Sequence, residues 1–549
     1  SITLNGDRTV GTMVINATGN RDYSFSADGT PTSFRELTFN STSGDANLTV
    51  LGEAEHFIGR SSGGYTDVLA EDDLNIINNS SGATGLTLGE VGGDDYLRTG
   101  GNSITFRGGG TTEVNSEIRE GGDLIKEGTG TLRLANGASD FTGGVTLNSG
   151  QLQLGDSGVL GSGSLTINGG TLEGYDGDHT LDNNFTWGGD FTVGNSDNRD
   201  LTLSGTGTVN AGIQDVTVEN GINFDLTGDL SGSGGLTKSG TGTLLLGGGN
   251  DTDFSGGLTV NAGTVSVDEA NALTLGSDTA NQNLLGTGDL TVNSGGTLSA
   301  NIGGSNDINV NGGVSLTNNG GSLTIDGSDD IFFNDASLIN TGGTTTLSAQ
   351  DDFRLEANGS LEVSGGTLNI DPAAEFTTEG TAGNEASIEV SGGGALNIDL
   401  TAAGGTGNTF DLDVEDTLSV DGSTSSATLS VESGTPVNLD GTVSLTDEGI
   451  LTVNSGTTFL DSNTKLEGDV SGEAGTLQIV DGSLSVNEPL LSGEPNIEMN
   501  ASGSEELTAP NSGSSIINLG TLEKSGTGEV TLNADINNIQ AELDRKSVV

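Results

Sequence analysis

Short segments with a shared pattern of side chains begin at Thr131, Gln151 and Thr171, which lie 20 residues apart. In these segments apolar residues alternate with polar ones, and Gly, Asn, Asp or Ser bound them, as expected of short strands between tight turns. Such a period is typical of a solenoid, in which a few strands complete one circuit and the next circuit stacks on it through parallel hydrogen bonds. The spacing therefore predicts stacked coils rather than a globular core.

The composition fits such a fold. The 549 residues include 94 Gly, and Gly suits tight corners because it adopts positive φ easily. The high charge and the 4% aromatic content resemble those of disordered chains. However, Leu, Ile and Val alternate inside the recurring segments, as at Leu152 and Leu154, which is how a folded chain fills a narrow core. No helical periodicity competes, so we predict an all-β chain.

A longer repeat contains the short one. The pattern Lys-x-Gly-Thr-Gly-x-x-x-Leu occurs at Lys126–Leu134, at Lys238–Leu246 and, in a weaker copy, at Lys524–Leu532. The first two copies continue in step, because Phe141–Gly150 matches Phe254–Gly263. The three Lys share one position in a chain with few cations. We therefore expect them to share a structural role, either pairing with an acid on an adjacent coil or covering the core with their aliphatic stems.

The combined pattern, Leu-x-Lys-x-Gly-x-Gly followed by Phe-x-Gly-Gly-x-Thr-x-Asn-x-Gly, resembles the autotransporter-associated β-strand repeat of large secreted bacterial passenger proteins. Residues 121–174 and 233–300 match it well, and residues 1–16 and 515–533 look like partial copies. The resemblance implies a right-handed parallel β-helix (β-solenoid) at the bacterial surface, forming a single elongated rod.

Three regions differ in how clearly they repeat. Residues 1–118 hold partly degenerate N-terminal coils, residues 119–300 the clearest autotransporter-type repeats, and residues 301–549 degenerate coils. Since no Pro-rich or low-complexity linker separates them, we expect one continuous stack.

Charge and composition exclude several kinds of partner. With 16 Lys and Arg against 77 Asp and Glu, the net charge of −61 repels nucleic acid. No apolar run of about 18 residues is present to span a bilayer, so this chain is not expected to span a membrane. The absence of Cys fits export to an oxidising exterior. We expect an extracellular protein of the bacterial cell surface.

Few residues are candidates for catalysis. Glycoside hydrolysis needs two carboxylates about 5 to 9.5 Å apart, but adjacent residues of a strand point to opposite faces, so a doublet of acids is not by itself a facing pair. The two His, His56 and His179, lie far apart in sequence and are expected to be ordinary surface or turn residues. No catalytic or cofactor-binding residue is predicted. The acidic doublets are Asp72–Asp73, Asp94–Asp95, Asp329–Asp330 and Asp351–Asp352.

Calcium is the metal that the sequence brings into question. The turn Asp326–Asp330 and the pair Asp94–Asp95 offer the clustered oxygens that this ion prefers. The nonapeptide of calcium β-rolls and the EF-hand loop are absent, so a solvated acidic face is the simpler interpretation. No cofactor is predicted, calcium stays a candidate, and the metal ligands are left open.

Several aromatic residues lie in the first third of the chain, where they are candidates for stacking against sugars in a groove. The simpler interpretation is that they plug corners of the solenoid. These residues are Tyr23, Tyr65, Tyr96, Tyr175 and Trp187.

Together these patterns predict a non-catalytic, extracellular structural or adhesive β-solenoid, an adhesin or filament protein. Its expected partners are surface glycans, host-cell receptors and other copies of itself, meeting end to end or laterally. Nine of the 16 Lys and Arg precede residue 134, whereas only Arg354, Lys465 and Lys524 lie between residues 239 and 544, so a basic end would attract an acidic one. The alternative is a secreted polysaccharide-active enzyme that uses surface carboxylates.

Overall fold

The structure is a computed structural model of the chain. It describes residues 2–17, 22–27, 34–59, 65–82, 85–90, 92–194, 196–247, 252–269, 273–275, 288–302, 307–327, 329–400, 410–412, 416–421, 427–432, 437–439, 442–446 and 450–454. Beyond these it describes strand segments between residues 457 and 537.

The described residues form β-strands and turns, in two compact units, Ser1–Gly256 and Gly257–Val549. Apart from one isolated antiparallel bridge between Thr381 and Asn384, the described strand pairings are parallel. Among these residues no helix has the length and apolarity needed to cross a membrane. The prediction of an all-β parallel β-helix is confirmed.

In the first unit the strands stack into long parallel ladders, one strand from each coil. The strands are β1 Ile2–Leu4, β2 Arg8–Val10, β3 Thr12–Ala17, β4 Tyr23–Ala27, β5 Phe34–Phe39, β6 Ala46–Gly52, β7 His56–Ile58, β8 Tyr65–Ala70, β9 Leu74–Ser80, β10 Leu86–Leu88, β11 Tyr96–Arg98, β12 Ile104–Arg107, β13 Thr112–Val114, β14 Glu117–Arg119, β15 Leu124–Lys126, β16 Thr131–Leu134, β17 Val145–Leu147, β18 Gln151–Leu154, β19 Leu165–Ile167, β20 Thr171–Gly174, β21 His179–Leu181, β22 Phe185–Trp187, β23 Phe191–Val193, β24 Leu201–Leu203, β25 Gly207–Val209, β26 Ile213–Val218, β27 Asn223–Leu226, β28 Leu230–Gly232, β29 Gly235–Ser239, β30 Thr243–Gly247 and β31 Thr252–Phe254.

Three faces of the first unit follow from these pairings. One ladder begins with β1, β4, β7 and β10, another with β3, β6, β9 and β12, and both continue along the unit. The third ladder is a five-stranded sheet of β2, β5, β8, β11 and β14, and it ends at Arg119. The coils before residue 120 therefore have an additional sheet that the coils of residues 124–174 lack.

In the second unit the strands again stack into parallel ladders, one of which runs through β34, β37, β39, β41 and β44. The strands are β32 Leu258–Val260, β33 Gly263–Glu269, β34 Leu273–Leu275, β35 Leu290–Asn293, β36 Gly296–Ile302, β37 Ile308–Asn311, β38 Ser315–Asp326, β39 Ile331–Asn334, β40 Ser337–Ala349, β41 Phe353–Glu356, β42 Ser360–Val363, β43 Thr367–Pro372, β44 Phe376–Glu379, β45 Ser387–Val390, β46 Ala395–Asp399, β47 Phe410–Leu412, β48 Thr417–Asp421, β49 Thr428–Glu432, β50 Val437–Leu439, β51 Thr442–Thr446, β52 Ile450–Asn454, β53 Thr457–Leu460, β54 Lys465–Gly468, β55 Thr476–Val480, β56 Ser483–Val486, β57 Leu490–Ser492, β58 Asn496–Asn500, β59 Ser504–Thr508, β60 Ser515–Ile517, β61 Leu522–Ser525, β62 Glu529–Asn533 and β63 Asp535–Asn537.

The strand register shows where the predicted spacing applies. Thr131 pairs with Gln151 and Gln151 with Thr171, so the coil is 20 residues long there, as the sequence predicts. Elsewhere it is longer, and Gly263 pairs with Gly296, 33 residues further along the chain. Extra residues are accommodated between strands, where they leave the alternation of inward and outward side chains unchanged.

Stacked apolar side chains fill the core. Leu132, Leu152 and Leu172 occupy one column of paired positions and are all buried. In the second unit, the rings of Phe353 and Phe376 stack with their centroids 5.1 Å apart, and Phe410 continues the column 5.0 Å from Phe376. Identical neighbours at one strand spacing let each side chain pack against its copy in the next coil.

Close contact between coils explains part of the Gly content. A Cβ at Gly163 would lie 1.9 Å from the carbonyl oxygen of Gly143, in the coil before it. A side chain there would force the coils apart, so only Gly fits.

Candidate functional site

Each of the four acidic doublets accepts a hydrogen bond from the backbone of an adjacent coil. Asp73 Oδ1 accepts a hydrogen bond from the Ser103 backbone N–H at 2.9 Å, and Asp330 Oδ1 accepts one from Asp352 N–H at 2.9 Å. Asp352 in turn accepts from Glu375 N–H at 3.1 Å. These carboxylates hold consecutive coils together, which is a structural use of acids.

This arrangement recurs, and sequence analysis missed it. An Asp directly before a strand accepts a hydrogen bond from the backbone N–H at the corresponding position of the next coil. The sequence signal is Asp followed by an apolar residue or His that opens a strand. Further examples are Asp123 with Gly144, Asp178 with Asp200 and Asp289 with Ser315.

One acidic cluster forms in the second unit. Asp329, Asp330 and Asp351 each place a carboxylate oxygen within 4.8 Å of the others. Burial and then the neighbouring charges of Asp352, Asp330 and Asp329 raise the pKa of Asp351. Such a set of oxygens suits a hard cation, or remains a solvated acidic surface without one.

The cluster includes only part of the predicted calcium-binding positions. Asp329 and Asp330 belong to the predicted turn Asp326–Asp330, whereas Asp326 is not a member of the cluster. In the other predicted pair, Asp94–Asp95, Asp95 is fully buried and accepts a hydrogen bond from Thr66 N–H at 2.7 Å. Among the described residues this pair forms no cluster of three acids.

The prediction that both His are surface or turn residues is wrong for His56, which is buried in β7, whereas His179 is half-buried at the start of β21. His56 is buried, its Nδ1 accepts a hydrogen bond from Tyr23 N–H at 3.1 Å, and burial lowers its pKa. His179 Nε2 lies 3.0 Å from the carbonyl oxygen of Tyr175. The two residues lie in different coils, on β7 and β21, so they do not form one site.

Two of the repeat Lys, Lys126 and Lys238, are buried and bind backbone carbonyl groups. Lys126 Nζ donates hydrogen bonds to the carbonyl oxygens of Glu127 at 2.8 Å, Gly128 at 3.1 Å and Ser149 at 3.2 Å, the last on the next coil. Lys238 Nζ likewise donates to the turn that follows it. Burial lowers the pKa of each Lys to about 8, so both remain largely charged at neutral pH.

This contact set refines the sequence prediction for the Lys positions. The shared role is structural, but Lys126 binds the carbonyl groups of two consecutive turns instead of an acid on the adjacent coil. The backbone of Lys524 lies in β61, and its side chain lies outside the described residues.

The aromatic candidates divide into core and surface residues. Trp187 is fully buried and packs against Phe185, Phe191 and Phe224, as expected for a residue that plugs the solenoid. The Tyr residues are half-buried at the surface, each beside a planar partner. The pairs are Tyr23 with His56, Tyr65 with Phe34, Tyr96 with Arg119 and Tyr175 with Arg133.

The five-stranded sheet of the first unit carries an open groove of about 620 Å³. The Arg119 guanidinium carbon lies 3.7 Å from the ring centroid of Tyr96. Tyr96 lies on β11, the strand of the adjacent coil that pairs with β14. Strand pairing also aligns Arg98 with Arg119. The groove is lined by Asp67, Tyr96, Arg98, Arg119, Glu120, Gly121, Asp140 and Thr142.

One half-buried carboxyl group, that of Asp67, lines this groove, and one fully buried carboxyl group, that of Asp95, lies close to it. Asp67 accepts a hydrogen bond from Tyr96 N–H at 3.0 Å, and burial raises its pKa. Burial also raises the pKa of Asp95 to about 7, and the charge of Asp67 contributes in the same direction. Oδ2 of Asp95 has no hydrogen-bond partner among the described residues, which is consistent with a protonated carboxyl group at mildly acid pH.

Comparison with known proteins agrees with the repeat pattern. Residues 124–154 and 236–267 match the family model of the passenger-associated-transport-repeat. Over 215 residues, 37% of this chain, the sequence is 29% identical to the protein named Adhesin BmaC autotransporter from Brucella suis biovar 1 (strain 1330). This chain covers 6% of that relative's length. No solved structure matches the chain.

The two matched segments fall inside residues 121–174 and 233–300, where the sequence resembles autotransporter repeats. The first matched segment begins with β15 and ends with β18, so the repeat corresponds to consecutive coils of the β-helix. Residues 124–154 and 236–267 therefore carry passenger-type repeats, and the predicted resemblance to autotransporter passenger repeats is confirmed.

Proposed function

We propose that this chain is an exported β-helical segment of a bacterial surface protein and that it acts in adhesion. The observation that carries the proposal is the coincidence of passenger repeat and coil at residues 124–154. The similarity to a protein named an adhesin supports the same role. Stacked coils extend a binding surface away from the cell with every backbone ladder satisfied, which suits an adhesin.

Adhesion of the purified chain tests this role. Microspheres coated with the chain are expected to bind epithelial cell monolayers above the level of microspheres coated with an unrelated protein of similar negative charge. The charge-matched control is needed because a net charge of −61 alters nonspecific contact with cell surfaces. Equal binding by the two kinds of microsphere would reject the adhesive role.

We further propose that the chain is non-catalytic and that the Asp329, Asp330 and Asp351 cluster is a solvated acidic surface, with calcium kept as the candidate ion. Their oxygens lie within 4.8 Å of one another, closer than the about 5 to 9.5 Å between the carboxylates of glycosidases. Calcium titration calorimetry is expected to give the same heats for the wild type and Asp351→Asn, and binding that Asp351→Asn loses would assign the ion to this cluster. The alternative, a polysaccharide-active enzyme, predicts release of reducing sugar ends that Asp351→Asn abolishes.

A further inference from the structure

We infer that the groove of the five-stranded sheet binds a neutral oligosaccharide. This inference rests on the adhesive role proposed above and names the class of its partner. The groove measures about 620 Å³, within the range of about 300–1,000 Å³ that ligand clefts occupy.

The guanidinium groups of the groove are held in place before any ligand arrives. Arg119 stacks on Tyr96, and its Nε and Nη2 donate to Glu117 Oε2 at 3.1 and 2.6 Å. Arg98 donates from Nε to Glu120 Oε1 at 2.9 Å and from Nη1 to Oε2 of Glu36 at 3.1 Å. Because these side chains are already ordered, they lose less conformational entropy when a ligand binds.

The lining offers both kinds of hydrogen-bonding group that a sugar needs. A guanidinium carries more N–H donors than the contacts of Arg98 and Arg119 use, and the carboxylates of Asp67 and Asp140 are acceptors. A sugar hydroxyl both donates and accepts hydrogen bonds, so two neighbouring hydroxyls of a sugar can accept from a guanidinium group and donate to a carboxylate. The ring of Tyr96 adds an apolar surface for the C–H face of a sugar.

Charge selects against acidic ligands. The lining contains three carboxylates, Asp67, Glu120 and Asp140, against the two guanidinium groups of Arg98 and Arg119, so it has one excess negative charge. The whole chain adds the repulsion of a net charge of −61. A sialylated or uronate-containing glycan would therefore enter an unfavourable field, whereas a neutral glycan would not.

The backbone of the groove is strained at one lining residue. Glu120 has a φ of 80°, in the left-handed region that a Glu rarely adopts. Its Oε2 accepts a hydrogen bond from Gly100 N–H at 2.6 Å while its Oε1 holds Arg98. Strain of this kind persists where the surrounding contacts over-determine a site, and it favours a binding role for this part of the sheet.

The test is calorimetric titration of the full chain with neutral oligosaccharides of glucose, galactose, mannose and N-acetylglucosamine. Sialylated oligosaccharides, uronate oligomers and spermine serve as comparison ligands. At least one neutral oligosaccharide is expected to bind, and Arg119→Ala or Asp140→Ala is expected to weaken that binding at least tenfold. Asp140 is exposed and its backbone N–H, not its side chain, bonds Ile118, so its loss leaves the fold intact.

Arg107→Ala is the matched control. Arg107 is also an exposed Arg in an ion pair, at 3.0 Å from Glu127, but it lies on β12, in a different sheet. Its loss is expected to leave sugar binding unchanged. The inference would be overturned if no neutral sugar binds, or if neutral sugars bind Arg119→Ala and Asp140→Ala as tightly as the wild type. It would also be overturned if neutral sugars bind more weakly than the acidic sugars or spermine.

The adhesion assay separates this inference from the proposed function. Microspheres coated with Asp140→Ala are expected to lose adhesion to cells together with sugar binding. Adhesion that persists in Asp140→Ala would overturn the groove as the adhesive site and leave the adhesive role standing. Sugar binding by a wild-type chain that does not adhere would instead reject the adhesive role and support the groove as a sugar site.

Discussion

At the residue scale, the Lys of the passenger repeat joins one coil to the next. The buried ammonium group of Lys126 holds carbonyl oxygens of its own turn and of Ser149 on the following coil. We predict that Lys126→Met lowers the free energy of unfolding by about 2–4 kcal/mol, because it leaves buried carbonyl groups unpaired. Fluorescence of Trp187, the single Trp of the chain, measured against urea concentration reports the loss.

Arg107→Met is the matched control for Lys126→Met. Arg107 lies next to Phe106, which pairs with Lys126, but its ion pair with Glu127 is exposed. An exposed pair is worth about 0–1 kcal/mol, so the urea midpoint is expected to move little. Equal shifts in the two variants would show that the carbonyl contacts of Lys126 contribute no more than a surface pair.

Asp95 gives the chain a pH dependence. Its pKa of about 7 in the folded chain lies above the unfolded value of about 3.9, so between these pH values the folded state holds a proton that the unfolded state has lost. Stability therefore rises as the pH falls through this window, by up to about 1.4 kcal/mol per pH unit, and this contribution is absent above pH 7.

The variant Asp95→Asn isolates that contribution, since an amide oxygen can still accept the hydrogen bond from Thr66 N–H. Urea midpoints measured by circular dichroism at pH 5 and pH 8 are expected to differ less in the variant than in the wild type. Asp67, whose pKa is also raised by burial, keeps part of the dependence. An unchanged difference between the two pH values would show that Asp95 is ionised in the fold.

At the scale of elements, the distance between coils is set by Gly. We predict that Gly163→Ala destabilises the chain by about 1–3 kcal/mol, because its Cβ would meet the Gly143 carbonyl oxygen at 1.9 Å. Gly109→Ala is the control, since its Cβ would come no closer than 3.5 Å to Thr129. Urea midpoints followed by Trp187 fluorescence compare the two variants, and equal values would contradict this account of the Gly columns.

The same elements show what a sequence can predict of this fold. The alternating segments at Thr131 and Gln151 lie in register as predicted, because inward alternation and coil length are both local properties. The five-stranded sheet that ends at Arg119 was not predicted, since corners that change direction leave the alternation unchanged. Tyr96 was a sugar-binding candidate, but its stacking with Arg119 depends on strand register between coils, which spacing alone does not supply.

At the scale of the whole molecule, charge decides how copies can meet. The net charge of −61 makes copies repel one another. The nine Lys and Arg before residue 134 stand among 19 Asp and Glu, so they can attract another copy only through local ion pairs. Salt screens both effects, with a Debye length of about 10 Å at 0.1 M and about 3 Å at 1 M. The two effects therefore predict opposite responses of self-assembly to salt.

We predict that end-to-end assembly is strongest at high ionic strength, where the general repulsion between copies is most screened. Electron microscopy across protein concentrations, at about 0.01 M and about 1 M salt, is expected to show filaments one coil wide that lengthen as salt rises. The double variant Arg98→Gln, Arg107→Gln adds to the net negative charge and is expected to shorten the filaments at low salt. Filaments that shorten as salt rises would show that local ion pairs between copies drive assembly.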